Sequence, residues 1–277
     1  MNVSEAYEYS VLFLKANGVD EPEFKAKNII CEIVSIKLGQ FDFHKNDFVN
    51  TKKLADFLWR LKSGEPLQYV IGKWDFYESE FEVGQGVLIP RPETEELVDE
   101  VVKFAKTLNN PLIFDLCSGS GCIGISIAKK IPTSTVYCIE KSEQAFKYLE
   151  KNANGLSNVV TILADINDDF DLPQADIIVS NPPYIKSNEL SSLQKEVQFE
   201  PKMALDGGID GLDFYRIIND KWRTRLKKNG RLFLEIGNDQ GESIKDALIS
   251  FTNVTVKKDI YSNDRIVIAE NDYNYYG

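Results

Sequence analysis

The sequence predicts an α/β protein: a mostly parallel, seven-stranded sheet with an antiparallel edge hairpin, preceded by a small helical domain and a β-hairpin linker. Three observations predict it. Beyond residue 110, short apolar runs alternate with helical stretches, the pattern of a parallel sheet covered on both faces. Before residue 65, apolar residues recur at helical spacing. Between these regions, aromatic and β-branched residues gather around turn-forming ones. At 277 residues the chain is long enough for two domains. The expected boundaries are 1–67 for the helical bundle, 68–90 for the linker and 91–277 for the α/β domain.

Val3, Tyr7, Val11 and Leu14 fall on one face of a first helix ahead of Gly18, with Ser4 as a plausible cap. Ala26, Ile29, Ile30 and Ile33 mark a second helix ending near Gly39. Leu54, Leu58 and Leu61 mark a third, ending at Gly64. In the linker, Trp74, Phe76, Phe81 and Val83 surround Glu78-Ser79-Glu80, and Gly84-Gln85-Gly86 follows, which reads as a hairpin. Trp74 and Phe76 are expected to pack there. Pro90-Arg91-Pro92-Glu93-Thr94-Glu95-Glu96 then starts a helix, with prolines suited to its first turn and carboxylates to the positive end of its dipole. Arg91 either orders a lid or caps a neighbouring element.

Strand-like runs follow at 112–116, 135–139, 159–163, 177–180 and 232–236, with helical stretches such as 122–130 and 142–152 between them. The stretches 254–258 and 265–269, around Ser262-Asn263-Asp264, read as the edge hairpin.

Composition narrows the function. Hydrophobic residues make up 43% and charged residues 27%, as expected of a folded chain. No apolar stretch reaches the roughly 20 residues a membrane span requires, and the first residues lack a basic, then apolar, export signal. The expectation is a cytoplasmic protein with no membrane partner. The net charge of −11 counts against nucleic-acid binding, which needs positive surface to displace counterions. The basic cluster Lys221, Arg223, Arg225, Lys227 and Lys228 reads as the solvated face and last turn of a helix ending at Gly230. Cys31, Cys117, Cys122 and Cys138 form no C-x-x-C pair and His44 is the single histidine, so no metal site is expected.

Two motifs carry the chemistry. Asp115-Leu116-Cys117-Ser118-Gly119-Ser120-Gly121 runs from a strand into a helix, and Gly119, Gly121 and Gly124 fit G-x-G-x-x-G spacing. Glu140 ends the next strand, where an acid meets ribose hydroxyls. On these residues alone a nicotinamide or flavin enzyme stays open. Asp115 weighs against it: a carboxylate at the strand end suits a cationic ligand such as S-adenosylmethionine better than a pyrophosphate. Asp165 and Ile166, past the third strand, could frame an adenine by a polar edge and an apolar face.

The second motif is Asn181-Pro182-Pro183-Tyr184, after the apolar run 177–180. Two prolines remove two N–H donors and fix φ twice. What remains is a stiff corner with a carboxamide, carbonyl oxygens and an aromatic ring, able to hold an –NH2 group by accepting both its hydrogens.

Together, D-x-x-x-G-x-G and N-P-P-Y resemble class I S-adenosylmethionine-dependent methyltransferases with a Rossmann-like domain that modify amino or amide nitrogens. The segment Ile89-Pro90-Arg91-Pro92-Glu93-Thr94-Glu95 resembles the HemK/PrmC branch more closely. Similar stretches are Glu65-Pro66-Leu67-Gln68-Tyr69, Phe199-Glu200-Pro201 and Leu234-Glu235-Ile236-Gly237. The resemblance covers nearly the whole chain. It implies methyl transfer from S-adenosyl-L-methionine to the glutamine of the Gly-Gly-Gln loop in class 1 peptide-chain release factors, by a monomer whose helical domain grips that partner.

By position, the resemblance implies cofactor contacts from Asp115, Cys117, Ser118, Gly119, Ser120, Gly121, Glu140, Asp165, Ile166 and Asn181. Asn181, Pro182, Pro183 and Tyr184 would receive the glutamine. Asn181 and the Pro182 carbonyl would accept the amide hydrogens while Tyr184 stacks on the carboxamide. Cys117 stands where glycine is usual, Glu140 replaces a commoner aspartate, and Ile166 takes an often aromatic position. N-P-P-Y is shared with enzymes that methylate amino groups of DNA or RNA, so that activity is the alternative. A scaffold without chemistry is the third reading.

Overall fold

The computed structural model describes residues 1–169 and 171–273. The chain divides into two compact units, Met1–Trp74 with Gln194–Phe199, and Asp75–Leu193 with Glu200–Gly277.

The first unit holds helices α1 (Val3–Ala16), α2 (Pro22–Val34), α3 (Thr51–Lys62) and α4 (Leu67–Ile71). Their apolar stripes meet in one core that includes Val3, Leu14, Ile29, Ile30, Leu58 and Leu61. The cap of α1 is Asn2, not Ser4. Asn2 Oδ1 accepts from Glu5 N at 2.9 Å, and Glu5 returns the bond to Asn2 N at 3.0 Å. Ser4 already lies inside the helix, where its side chain cannot cap. The second helix stops at Val34, because Ser35 turns left-handed at φ 59°. Helix α4 runs into the segment expected to be linker, where residues 68–71 are helical. The Arg60 guanidinium grips Glu65 by two bonds of 2.8 and 2.6 Å and the Tyr69 carbonyl at 2.9 Å, satisfying acceptors at the end of this short helix.

The hairpin β1 (Lys73–Phe76) and β2 (Ser79–Glu82) leads into the second unit, whose first helix is α5 (Thr94–Ala105). Phe76 and Phe81 are buried in this unit's core with their rings 6.0 Å apart. α5 begins at Thr94 rather than at the prolines. Arg91 precedes Pro92, and a residue before proline is disfavoured in helical geometry.

The remaining elements are β3 (Leu112–Leu116), α6 (Cys122–Lys130), β4 (Thr135–Glu140), α7 (Glu143–Ala153), β5 (Val159–Leu163), β6 (Ala175–Ser180), α8 (Asp213–Ile217), β7 (Leu226–Glu235), α9 (Ser243–Ala247), β8 (Thr252–Lys258) and β9 (Asp264–Glu270). The seven-stranded sheet has the order β5-β4-β3-β6-β7-β9-β8, parallel through β7 and antiparallel at β9 and β8. This is the predicted fold. Alternation along each strand divides the core. Ile113, Ile177 and Val179 pack on the side of α5 and α6, while Phe114, Ile178 and Leu232 pack on the side of Tyr215 and Trp222. Among the described residues no helix is long and apolar enough to cross a membrane.

In the basic cluster, the helical run ends at Arg225 rather than at Gly230: Lys221, Arg223 and Arg225 lie in its last turns, and Lys227, Lys228 and Gly230 belong to β7. The cluster's cations hold the chain between β5 and β6 and the start of β6 itself. Lys221 bonds the Asn167 carbonyl, Arg225 the Leu172 carbonyl at 2.8 Å, and Lys227 the Asp176 carboxylate at 2.9 Å. Spacing suggested a helix because a helical turn and a strand share this run of alternating charges.

Candidate active site

Strand order reverses between β3 and β6, so the chain leaves these neighbours in opposite directions and opens a crevice at their carboxyl ends. Register makes those ends level. Leu116 pairs with Ser180 and with Ile139, so the glycine loop, the Asn181 corner and Glu140 start side by side. Ser180 Oγ donates to the Leu116 carbonyl at 2.6 Å, pinning the two exits together.

A cleft enclosing about 980 Å³, partly open to solvent, lies at this crevice. Of the predicted residues, Cys117, Ser118, Gly119 and Ser120 line it from the glycine loop. Glu140, Asp165 and Ile166 line it from the next two strand ends, and Asn181 and Pro183 from the corner. Asp115, Gly121, Pro182 and Tyr184 are not among its lining residues. The sequence reading passed over Val87, Leu88, Thr94, Met203 and Phe214, which complete the walls.

The glycine loop is held from within. Gly119 N donates to Glu140 Oε2 at 2.8 Å, Gly121 N to the Ser118 carbonyl at 2.7 Å and Gly124 N to Asp115 Oδ2 at 2.9 Å. Gly121 takes φ 81°, and a Cβ there would meet Leu149 and Ile125 side-chain carbons at 2.5 and 2.7 Å. Cys117 itself adopts φ 58°, a left-handed conformation, which is why glycine is the usual residue at this position. Burial pushes its thiol well up, with Glu140 and Asp115 adding to the shift, which favours the protonated thiol.

Asp115 is fully buried. Burial lifts its carboxyl to about 7 against the pull of the Gly124 amide, and among the described residues its Oδ1 has no hydrogen-bond partner. Glu140 is also raised by burial, while the Ser142 and Gly119 amides at 2.6 and 2.8 Å favour its ionised form. Burial raises Asp165 too, but the Lys141 ammonium at 2.6 Å and the Asn167 amide outweigh it and hold the carboxyl low. The Trp222 indole donates to the Ile166 carbonyl at 2.9 Å, placing that apolar side chain at the wall.

This set of donors and acceptors discriminates between ligands. A pyrophosphate needs glycine amides, yet all three are spent inside the protein, two of them on carboxylates. A nucleoside bearing positive charge fits better. Each Glu140 oxygen keeps a lone pair for a hydroxyl donor, the carboxylates supply negative potential, and Val87, Leu88 and Ile166 offer apolar surface to a flat base.

The corner is built by distant partners. Asn181 Nδ2 donates to Thr94 Oγ1 at 3.3 Å, and the Thr94 hydroxyl donates to Glu235 Oε2 at 2.6 Å. The Tyr184 hydroxyl reaches the other oxygen of Glu235 at 3.4 Å. Glu235, on the last residue of β7, is raised by burial, opposed by the Thr94 hydroxyl and the Arg265 guanidinium. Burial raises Tyr184 as well, with Glu235 next in effect, so its phenol stays protonated. The backbone of the corner lies against Gly207, where a Cβ would meet Tyr184 Cα at 2.7 Å. Gln240 Nε2 donates to the Tyr184 carbonyl at 3.1 Å. Arg91 pairs with the buried Glu200, which also accepts from Ile89 N at 3.0 Å. It thus secures the segment carrying Pro201, Met203 and Ala204 along the cleft.

Sheet topology, the glycine loop and an acceptor-rich corner at one crevice define a Rossmann-like methyltransferase. Residues 97–202 match the methyltransferase small domain, and residues 5–72 match the PrmC N-terminal domain. The catalytic domain of hMettl16 shares the fold, with a TM-score of 0.57 at 17% identity over 70% of this chain and 76% of that one. The chain is 40% identical to the release factor glutamine methyltransferase of Thermodesulfovibrio yellowstonii, over 89% of this chain and 91% of that protein. It is 34% identical to that of Moorella thermoacetica, over 97% and 98%. The chain belongs to the release factor glutamine methyltransferase family.

Proposed function

We propose that this protein methylates the side-chain amide nitrogen of the Gly-Gly-Gln glutamine in class 1 peptide-chain release factors. S-adenosyl-L-methionine, when bound, supplies an electrophilic methyl group. Ser118 to Gly121 would hold its methionine and ribose portions, Glu140 the ribose hydroxyls, and Asp165 with Ile166 the adenine. The observation that carries the reading is the level register of β3 and β6, which opens the glycine loop and the Asn181 corner onto one cleft. The names of the relatives support the substrate.

A primary amide nitrogen is a weak nucleophile, because its lone pair is delocalised into the carbonyl. The corner works by positioning. Asn181 Oδ1 and the Pro182 carbonyl each accept one amide hydrogen, directing the nitrogen lone pair into the cleft and favouring its pyramidal form as positive charge develops. The nitrogen–carbon bond would form as the methyl's bond to sulfur breaks, leaving a neutral thioether, and the extra proton on nitrogen would then pass to solvent. Orientation of this kind can contribute about 7–11 kcal/mol to rate acceleration. Tyr184 packs behind the carboxamide and excludes water. The N-terminal helical unit helps grip the protein substrate, and the enzyme acts as a cytoplasmic monomer without nucleic acid.

Incubating the enzyme with S-adenosylmethionine and purified release factor should add a single methyl on the Gly-Gly-Gln glutamine, read by mass spectrometry of the peptide. An unmodified glutamine, with label from the cofactor appearing in nucleic acid instead, would replace this reading with the alternative one.

A further inference from the structure

The corner holds its amide through a chain of groups whose direction follows from the ionised form of Glu235, which the Thr94 hydroxyl and the Arg265 guanidinium favour against burial. A carboxylate can only accept hydrogen bonds, and a threonine hydroxyl has one hydrogen to give. The 2.6 Å bond from Thr94 to Glu235 spends that hydrogen. Thr94 Oγ1 then has only lone pairs to offer Asn181, so Asn181 must turn its NH2 towards Thr94, as observed at 3.3 Å. Among the described residues no donor reaches Asn181 Oδ1, and Asn181 lines the cleft. Thr94 is only 2% exposed and Glu235 only 1%, so water does not compete for the bond between them.

We propose that Glu235 and Thr94 are positioning residues that set the amide orientation of Asn181, dedicating its Oδ1 to the incoming substrate nitrogen. The proposal rests on the reading of Asn181 as an amide acceptor. Without the relay, the carboxamide can turn over and present its own NH2 to the substrate NH2, a donor facing a donor. Glu235 also reaches Tyr184, so one carboxylate organises both ends of the tetrapeptide.

Thr94→Val keeps the shape of the side chain and removes the relay, while Thr94→Ser keeps the hydroxyl. The valine variant should lose about tenfold or more in kcat, with cofactor affinity within about twofold by calorimetry, and the serine variant should recover most of the rate. A purely structural role for Thr94 predicts a lowered melting temperature without this split. If the valine variant does not fold, Thr94→Ala takes its place against the same serine control. A folded valine or alanine variant with unchanged kcat overturns the proposal.

Amide NMR supplies a substrate-free readout. Nuclear Overhauser contacts from the Asn181 Nδ2 protons to Thr94 are expected in the unmutated enzyme, and their absence also overturns the relay. An unmutated enzyme that leaves release factor unmodified but shows these contacts would instead sink the substrate reading and leave the relay standing.

Discussion

The two halves of the cleft are built by opposite means. The glycine loop is held by near neighbours in sequence, with Asp115 and Gly124 nine residues apart and Gly119 and Glu140 twenty-one apart. The Asn181 corner is held from afar: Thr94 lies 87 residues upstream of it, and Glu235 lies 141 residues beyond Thr94. A locally closed loop tolerates change elsewhere in the domain and fails at its own glycines. A remotely closed corner depends on strands and helices arriving in register. On the proposed reading, the loop would govern binding and folding, and the corner would govern rate.

Three substitutions would sharpen or break that contrast. Asn181→Ala should give the largest effect, a loss of ~10²-fold or more in methyl transfer, with a far smaller loss of cofactor affinity in calorimetry. A matching loss of cofactor affinity would mean that the halves are not separable. Gly121→Ala should act the other way. The left-handed φ and the clash with Leu149 and Ile125 should cost about 1–3 kcal/mol of stability, measured by denaturant unfolding, together with cofactor affinity. Stability equal to that of the unmutated protein would show that the loop is not closed as described.

Asp115→Asn should give the smallest and most pH-dependent change. Its folded carboxyl sits near 7, above an ordinary value of 3.8, so the folded state keeps a proton that the unfolded state gives up. Asp115 therefore contributes its full stability below pH 3.8 and loses it as pH rises towards 7. The asparagine variant has no such loss. Its melting temperature should gain on the unmutated protein by roughly a few degrees between pH 4 and pH 7.5, and parallel curves would refute the assignment.

The same contrast explains what could be read in the chain beforehand. Strand runs such as 112–116 and 177–180 announced themselves because both faces are buried, leaving continuous apolar stretches. The glycine loop and Glu140 were legible because their partners lie within one strand–helix–strand unit. Thr94 was read only as part of a helix start, and Glu235 only as part of a familiar stretch, since nothing local shows that they meet. A carboxylate at the end of a buried strand was the available signal, because an acid there needs a polar partner. The basic run 221–231 misled for a related reason. Its cations answer to carbonyls between β5 and β6, and no helical periodicity encodes that.

One feature of the first unit bears on how such a protein can be taken apart. Gln194–Phe199 belongs with the N-terminal helices although the chain on either side belongs to the other unit. From this short excursion Glu196 meets Lys25, a lysine only 4% exposed, at 2.5 Å. A fragment cut at residue 74 would strand that ammonium without its counter-ion. Modularity in three dimensions thus does not map onto a single cut in the gene, and dissecting or swapping the helical module requires carrying six residues from the far side of the active-site corner along with it.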